Sequence, residues 1–201
     1  MHDMVVSTSK PTDVVTRKVS LIGLTDVMFD RYPGDNTTKL EPHQKLYFEP
    51  GNAKLIGLPA LNIISFLSAH NTNSAPKRLR DKRKYKDIAN AMLSFVNIRE
   101  QFIPLLRAGK AITVGKFEGD KDPKSGVYIH HSVARLDKGI PNPKARPVLP
   151  LEWHLDFTLD IFPNREIKEQ DILNLFEEGG RALGLGTFRG VYGKFRIGCW
   201  N

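Results

Sequence analysis

The chain has 201 residues, long enough for one domain with a sizeable core, and its 30 Lys and Arg against 22 Asp and Glu give a formal charge of +8. This excess of positive charge favours a polyanionic partner such as nucleic acid. The single cysteine, Cys199, excludes an internal disulfide and a cysteine-based zinc site, and no apolar run approaches the roughly 20 residues that span a bilayer. We therefore expect a soluble, cytoplasmic protein with no metal, no cofactor and no membrane contact.

The N-terminal part predicts a strand and two helices after a lead-in. Residues 1–13 are polar, which favours a flexible segment. Residues 14–24 are rich in β-branched side chains that alternate with period 2, so a core strand is expected. The pattern then predicts a helix over 40–48 that ends at a Pro-Gly turn, and a helix over 60–69 that begins at Pro59.

The helix over 60–69 has two possible inward faces. Leu61, Ile64 and Leu67 recur at helical spacing, and so do Ile63 and Phe66. The sequence leaves this choice open.

The densest positive charge lies in the basic run, residues 77–86. We expect this run to face solvent and to be partly mobile, because its composition does not pack into a core. A solvated surface explains it, and so does a clamp that becomes ordered on binding nucleic acid. A helix over 85–95 should follow. The candidate contacts in the run are Lys77, Arg78, Arg80, Lys82, Arg83 and Lys84.

The second half predicts strands and one amphipathic helix. Strands at 111–117 and 126–135 are expected to flank a hairpin tip at 118–125, and the four prolines in 138–150 indicate an extended loop or a sheet edge. The strongest strand pattern, 152–162, puts Trp153, Leu155, Phe157, Leu159 and Ile161 on one face.

A helix over 167–183 follows this strand. It turns Ile172, Leu175 and Phe176 inward and is expected to end at Gly179-Gly180, before a closing strand at 191–199. This order of elements predicts an α+β fold, a ferredoxin-like or RRM-like sandwich of an antiparallel sheet with helices and basic loop insertions. We expect residues 14–201 to form a single domain with an insertion around 70–150.

A glycine-rich run, residues 179–196, is the most distinctive feature. Its glycines allow the backbone to approach a phosphate closely, while its cations and aromatic rings suit phosphate pairing and base stacking. It follows a helix instead of preceding one, which favours an extended polymer over a bound nucleotide. Alternatively, the glycines only permit tight packing of a helix on the sheet. The candidate contacts are Arg181, Gly184, Gly186, Phe188, Arg189, Gly190, Tyr192, Lys194 and Arg196.

Two parts of the sequence resemble the RAMP superfamily of CRISPR-associated proteins. Gly184-Leu185-Gly186 followed by Gly193-Lys194-Phe195 resembles the glycine-rich loop of that superfamily. The segment 21–31 resembles the opening strand and turn of its backbone-type subunits, and 57–60 is similar to their first-helix entry. The resemblance implies a modified RRM fold that binds RNA, with copies of itself or other subunits as partners in a ribonucleoprotein.

Three functions remain open at this point. The first is binding of single-stranded nucleic acid, RNA or DNA with RNA as the expected strand, without catalysis. The second is metal-independent endoribonuclease activity, because processing enzymes of the superfamily resembled here use a histidine as general base. The third is a structural subunit of a protein assembly. The candidate bases are His43, His70, His130 and His131, and no nucleophile elbow, P-loop or HExxH motif is present.

Overall fold

The computed structural model of the chain describes residues 13–69, 74–81, 84–135, 139 and 141–201. Its strands are β1 Val15–Gly23, β2 Val27–Met28, β3 Phe48–Glu49, β4 Asn52–Pro59, β5 Val96–Ile98, β6 Phe102–Arg107, β7 Lys110–Ala111, β8 Tyr128–Arg135, β9 Pro141–Leu149, β10 His154–Ile161 and β11 Phe195–Trp200. Its helices are α1 Ala60–Ser68, α2 Ala75–Leu79, α3 Tyr85–Phe95 and α4 Glu169–Ala182, with a 3₁₀ turn at Pro42–Lys45. Within these ranges no helix is both long and apolar enough to cross a membrane.

The main sheet has the strand order β11-β1-β10-β6-β4-β3, and neighbouring strands run antiparallel. Taken along the chain, β1, α1, β6, β10, α4 and β11 form the βαββαβ pattern of a ferredoxin-like fold. A small sheet, order β2-β9-β8, is added to it. The predicted α+β, ferredoxin-like sandwich is therefore confirmed.

The core lies between the main sheet and its helices. The apolar face of β10 is buried, as its period-2 pattern predicts. Ile172, Leu175 and Phe176 of α4 are fully buried, and the Phe176 ring lies 6.2 Å from the ring of Phe157 on β10 and 5.7 Å from that of Phe66 on α1. The predicted inward faces of both elements are correct.

Helix α4 does not end at Gly179-Gly180, as the glycine pair had indicated, but continues to Ala182. A Cβ on Gly180 would lie 2.6 Å from the Phe195 carbonyl oxygen, and one on Gly179 would lie 2.6 Å from the Phe66 ring. These two glycines therefore allow close contact of α4 with β11 and α1. The helix is terminated by Gly184, whose φ of +84° is left-handed.

The segment before α1 differs from expectation, and the structure decides which face of α1 points inward. Residues 40–48 form only a 3₁₀ turn before β3, because the chain enters a hairpin in which Phe48 pairs with Ile56. In α1 the buried apolar residues are Ile63, Phe66 and Leu67, whereas Leu61 is 72% exposed.

The start of the basic run is helical instead of a mobile loop. Lys77 and Arg78 lie on α2, which packs through its buried Ala75 and Pro76. Sequence reasoning missed this helix, whereas α3 has the expected bounds. Lys82 and Arg83 lie outside the described residues.

The predicted hairpin between 111–117 and 126–135 is wrong. Residues 112–114 run beside β6 and β4, where the N–H of Ile112 donates to the Leu105 carbonyl and that of Val114 donates to the Lys54 carbonyl, both at 2.8 Å. The loop that follows instead folds around the buried Asp122 carboxylate, which accepts hydrogen bonds from the N–H groups of Gly115 and Ser125.

Strand β8 pairs with β9, the proline-rich segment that the sequence had indicated as a loop or sheet edge. The Ala145 carbonyl accepts from Lys45 Nζ at 2.7 Å, and the Pro147 carbonyl accepts from the Phe29 N–H at 3.0 Å. The backbone polar groups of these odd-numbered residues therefore point away from β8. Three prolines, Pro141, Pro143 and Pro147, are also odd-numbered and point away from β8 in the same way. Because proline has no backbone N–H, these positions lose no hydrogen bond to β8.

The close contact at Gly180 predicts that a larger residue there destabilises the protein. Gly180→Ala should lower the free energy of unfolding by about 1–3 kcal/mol, because the added methyl group forces α4 away from β11. Urea unfolding followed by circular dichroism measures this, with the exposed Glu177→Ala, expected to change stability by less than about 0.5 kcal/mol, as control. A Gly180→Ala protein as stable as the control would contradict the packing role.

Candidate nucleic-acid interface

The glycine loop, residues 183–194, joins α4 to β11 and crosses itself closely. A Cβ on Gly193 would lie 2.0 Å from the Leu185 carbonyl oxygen, and one on Gly184 would lie 2.4 Å from that of Gly193. Both glycines also have left-handed φ values, +71° and +84°. Because no other residue fits these positions without strain, Gly184 and Gly193 are required by the fold of the loop itself.

The backbone N–H groups of the glycine loop largely donate within the protein. Gly193 donates to the Asp26 carbonyl at 2.7 Å, Thr187 to that of Met28 at 2.8 Å, and Gly190 to that of Leu183 at 2.6 Å. Further internal donors are the N–H groups of Leu183, Gly184, Leu185, Val191, Tyr192 and Lys194. The loop therefore differs from a phosphate cradle of inward-facing amides, and contact with an anion would go through its side chains.

An aromatic row, Phe188, Tyr192 and His130, runs from the glycine loop onto β8. The ring centroids of Phe188 and Tyr192 are 6.2 Å apart, and those of Tyr192 and His130 are 6.1 Å apart. Phe188 is 61% exposed and has a left-handed φ of +54°. A large apolar side chain held in solvent by an unfavourable backbone conformation suggests a functional site.

Hydrogen bonds next to the aromatic row join Asp26, whose carbonyl accepts from the Gly193 N–H, to the small sheet and the segment after it. Tyr128 on β8 donates its hydroxyl to Asp26 Oδ2 at 3.2 Å, and Asp26 Oδ1 accepts from the Leu151 N–H at 3.1 Å. Burial, together with the neighbouring Asp26 carboxylate, raises the pKa of Tyr128 to about 12. The phenol therefore stays a hydrogen-bond donor at neutral pH.

Positive charge continues from the row along β9. Arg146 pairs with His130 in the strand register, and its Nε donates to Asp30 Oδ2 at 2.7 Å. Lys144 lies two residues further along the same face. Sequence reasoning did not name Tyr128, Lys144 or Arg146 as contacts, because only the pairing of β8 with β9 places them on the same face as His130.

The three arginines predicted as contacts in the glycine-rich run lie at three separate places in the structure. Arg181 is exposed on the last turn of α4. Arg189 is half-buried, its Nε donates to the Gly186 carbonyl at 3.2 Å, and burial lowers the pKa of its guanidinium. Arg196 is exposed beside the core residue Phe195 and pairs with Ile22, so it lies on the face of the main sheet opposite the helices.

The basic run meets α4 close to Arg181. Arg80 Nη1 lies 3.1 Å from Glu178 Oε2, and Arg181 is one helical turn beyond Glu178. Lys77 Nζ lies 5.6 Å from the centre of the Tyr85 ring, and Arg78 and Lys84 are exposed. The run and Arg181 thus share the helical side of the molecule, whereas Arg196 is on the other side of the sheet.

The candidate histidines are separated. His130 belongs to the aromatic row, and His131 points the other way, with Nε2 at 3.1 Å from Asp120 Oδ2. His43 lies with its ring 5.7 Å from that of Phe117, and His70 is outside the described residues. In the described part of the chain, no group of three or more His, Cys, Asp or Glu side chains could hold a metal ion.

No protein-family model matches the chain, and no curated protein matches it. A solved structure does: a chain of the cryo-EM structure of type III-B Cmr-beta bound to cognate target RNA superposes with a TM-score of 0.57 at 13% identity. The match covers 94% of this chain and 60% of that chain, so this chain spans about three fifths of the neighbour's length. At this identity, the likeness shows a shared fold.

The raised pKa of the half-buried Tyr128 phenol predicts how stability depends on pH. Its folded-state pKa of about 12 exceeds the unfolded value near 10, so its contribution to stability is complete below pH about 10 and is lost as the pH rises towards 12. The wild type should therefore exceed Tyr128→Phe in stability by a constant amount, about 0.5–1.5 kcal/mol, at neutral pH.

This margin should shrink above pH 10. Chemical denaturation of both proteins across the pH range measures it, with Tyr32→Phe, which removes an exposed hydroxyl, as control. A margin that stays the same up to pH 12 would show that the Tyr128 hydroxyl is not held as described.

Proposed function

We propose that this protein binds single-stranded nucleic acid, with RNA as the expected strand, as a non-catalytic subunit of a multi-subunit ribonucleoprotein assembly. The observation that carries the proposal is the aromatic row, which offers a solvent-facing ring at Phe188 and continues through Tyr192 to His130. Stacking of bases on such rings contributes about 1–3 kcal/mol per base and accepts any sequence.

Electrostatics supports the same partner. Lys194 lies in the glycine loop, Lys144 lies on β9 beyond the row, and the chain carries a net charge of +8. These cations would pair with phosphates next to the stacked bases. Arg181 and the basic run would add contacts on the helical side, where they lie close together.

The assembly part of the proposal rests on the fold. The structural neighbour is a chain of a complex bound to its target RNA. A chain of the same fold is suited to act beside other subunits, or copies of itself, on one strand.

Truncation of the exposed ring tests the stacking role. Phe188→Ala should weaken binding of a labelled single-stranded RNA by roughly 5- to 150-fold, the equivalent of about 1–3 kcal/mol, because one stacking surface is removed. Fluorescence anisotropy at two salt concentrations measures the affinity, and the weakening should persist at the higher salt because stacking is not screened.

Phe162→Ala is the matched control, since Phe162 is also an exposed phenylalanine but lies after β10 and bonds to the Phe95 carbonyl through its N–H. It should leave the affinity unchanged. If Phe188→Ala binds as tightly as Phe162→Ala, the aromatic row is not the binding surface. If the wild type binds no RNA or DNA, the structural-subunit function is favoured instead.

A metal-independent endoribonuclease is the second candidate, favoured by the position of His130. Of the candidate histidines that the structure describes, His130 has its ring against the glycine loop, where a general base would reach a ribose 2′-hydroxyl. We expect wild-type protein to leave single-stranded RNA intact in EDTA on a denaturing gel. Cleavage that disappears in His130→Ala and persists in His43→Ala would assign catalysis to His130 and overturn the non-catalytic proposal.

A further inference from the structure

A cationic pocket of about 570 Å³ lies between β9 and the loop that follows β2. Residues on three elements form it: the loop over 30–40, the 3₁₀ turn Pro42–Lys45 and strand β9. The charged and aromatic residues that line it are Asp30, Arg31, Tyr32, Lys39, Lys45 and Lys144. This set carries four cations against one carboxylate.

The carboxylate in the pocket is already neutralised. Asp30 Oδ2 accepts from Arg146 Nε at 2.7 Å, and Asp30 Oδ1 is 3.9 Å from Lys45 Nζ. Among the described residues, no hydrogen bond or ion pair joins the ammonium groups of Lys39 or Lys144 to a partner. Two lysines therefore face the pocket with their charges uncompensated by protein.

The loop that carries Lys39 has an ordered turn. Asp35 accepts from the hydroxyl and N–H of Thr38 and from those of Thr37, at 2.6–2.7 Å. These hydrogen bonds hold the pKa of the Asp35 carboxyl well below its usual range. These bonds order the turn next to Lys39, and an ordered turn lowers the entropic cost of binding a ligand there.

The pocket continues the aromatic row along one face of the β8–β9 hairpin. His130 faces Arg146 in the register, and the next pair on the same face is Ser132 with Lys144. A strand that stacks on Tyr192 and His130 and follows the hairpin outward would bring its next phosphates over Lys144.

We propose that this pocket binds phosphodiester groups of the single-stranded nucleic acid that stacks on the aromatic row. The inference rests on the proposed function and adds the path of the strand, from Phe188 across His130 to Lys144 and Lys39. Lysine ammonium groups suit this role because they act as point charges towards phosphate without demanding one geometry.

The double variant Lys39→Ala/Lys144→Ala tests the pocket. The affinity for a labelled oligouridine would be measured by fluorescence anisotropy over a series of salt concentrations. In a plot of log affinity against log salt concentration, the slope of the variant should be less steep than that of the wild type by about 0.7 for each phosphate that the variant no longer neutralises. Lys54→Ala/Lys110→Ala, which removes two exposed lysines outside the pocket, is the charge-matched control and should keep the wild-type slope.

The outcomes separate the pocket from the proposed function. If the pocket and control variants share one slope while Phe188→Ala still weakens binding, the pocket inference is overturned and the aromatic row stands. If the wild type binds no oligonucleotide, both are overturned.

A competition arm distinguishes a polymer from a free nucleotide. Unlabelled oligouridine should displace the labelled strand, and adenosine monophosphate should not do so at the same phosphate concentration. Comparable displacement by the mononucleotide that disappears in Lys39→Ala/Lys144→Ala would assign the pocket to a free nucleotide and overturn the polymer path.

Discussion

A methyl group on Gly193 would lie 2.0 Å from the Leu185 carbonyl oxygen, and this close crossing of the glycine loop determines where the aromatic row stands. The crossing lets Thr187 donate to Met28 and Gly193 donate to Asp26, so the loop is bonded to the segment that contains β2. Strand β2 pairs with β9, and β9 pairs with β8. Through this chain of contacts, Tyr192 comes to lie beside His130.

The same crossing decides how the loop can recognise an anion. Its backbone N–H groups are largely used in holding the crossing together, so recognition is left to side chains on the outer surface. Stacking on Phe188 would keep its roughly 1–3 kcal/mol at high salt, whereas exposed lysines act over about a Debye length, some 8 Å in physiological salt. We therefore expect the rings to set the affinity and the lysines to set its salt dependence.

The sequence predicted elements with clear periodicity and missed those whose partners are distant. The faces of β10 and α4 followed from periods of 2 and 3.6, because burial on one side imposes these repeats. For β9 the sequence left an extended loop and a sheet edge open, and the structure has the segment in a sheet. Its prolines are tolerated there because their N–H positions point away from β8. That parity depends on the partner strand, which no local pattern reveals.

The site was predictable only in part for the same reason. Phe188 and Tyr192 were named from local composition, whereas His130 was considered only as a general base. Its position in the row depends on the approach of two segments that are distant in sequence. The glycine pair 179–180 does not end the helix, and for this pair the alternative of tight helix packing on the sheet is correct. A glycine required by helix packing and one required by a cap look alike in sequence.

Photo-crosslinking tests the central claim most directly. A single-stranded RNA that contains 4-thiouridine would be irradiated with the wild-type protein, and the crosslinked peptides would be identified by mass spectrometry. We predict adducts on Phe188 or Tyr192 in the glycine loop and on His130 in β8. Adducts confined to the opposite face of the main sheet, around Arg196 and Ile22, would contradict the account.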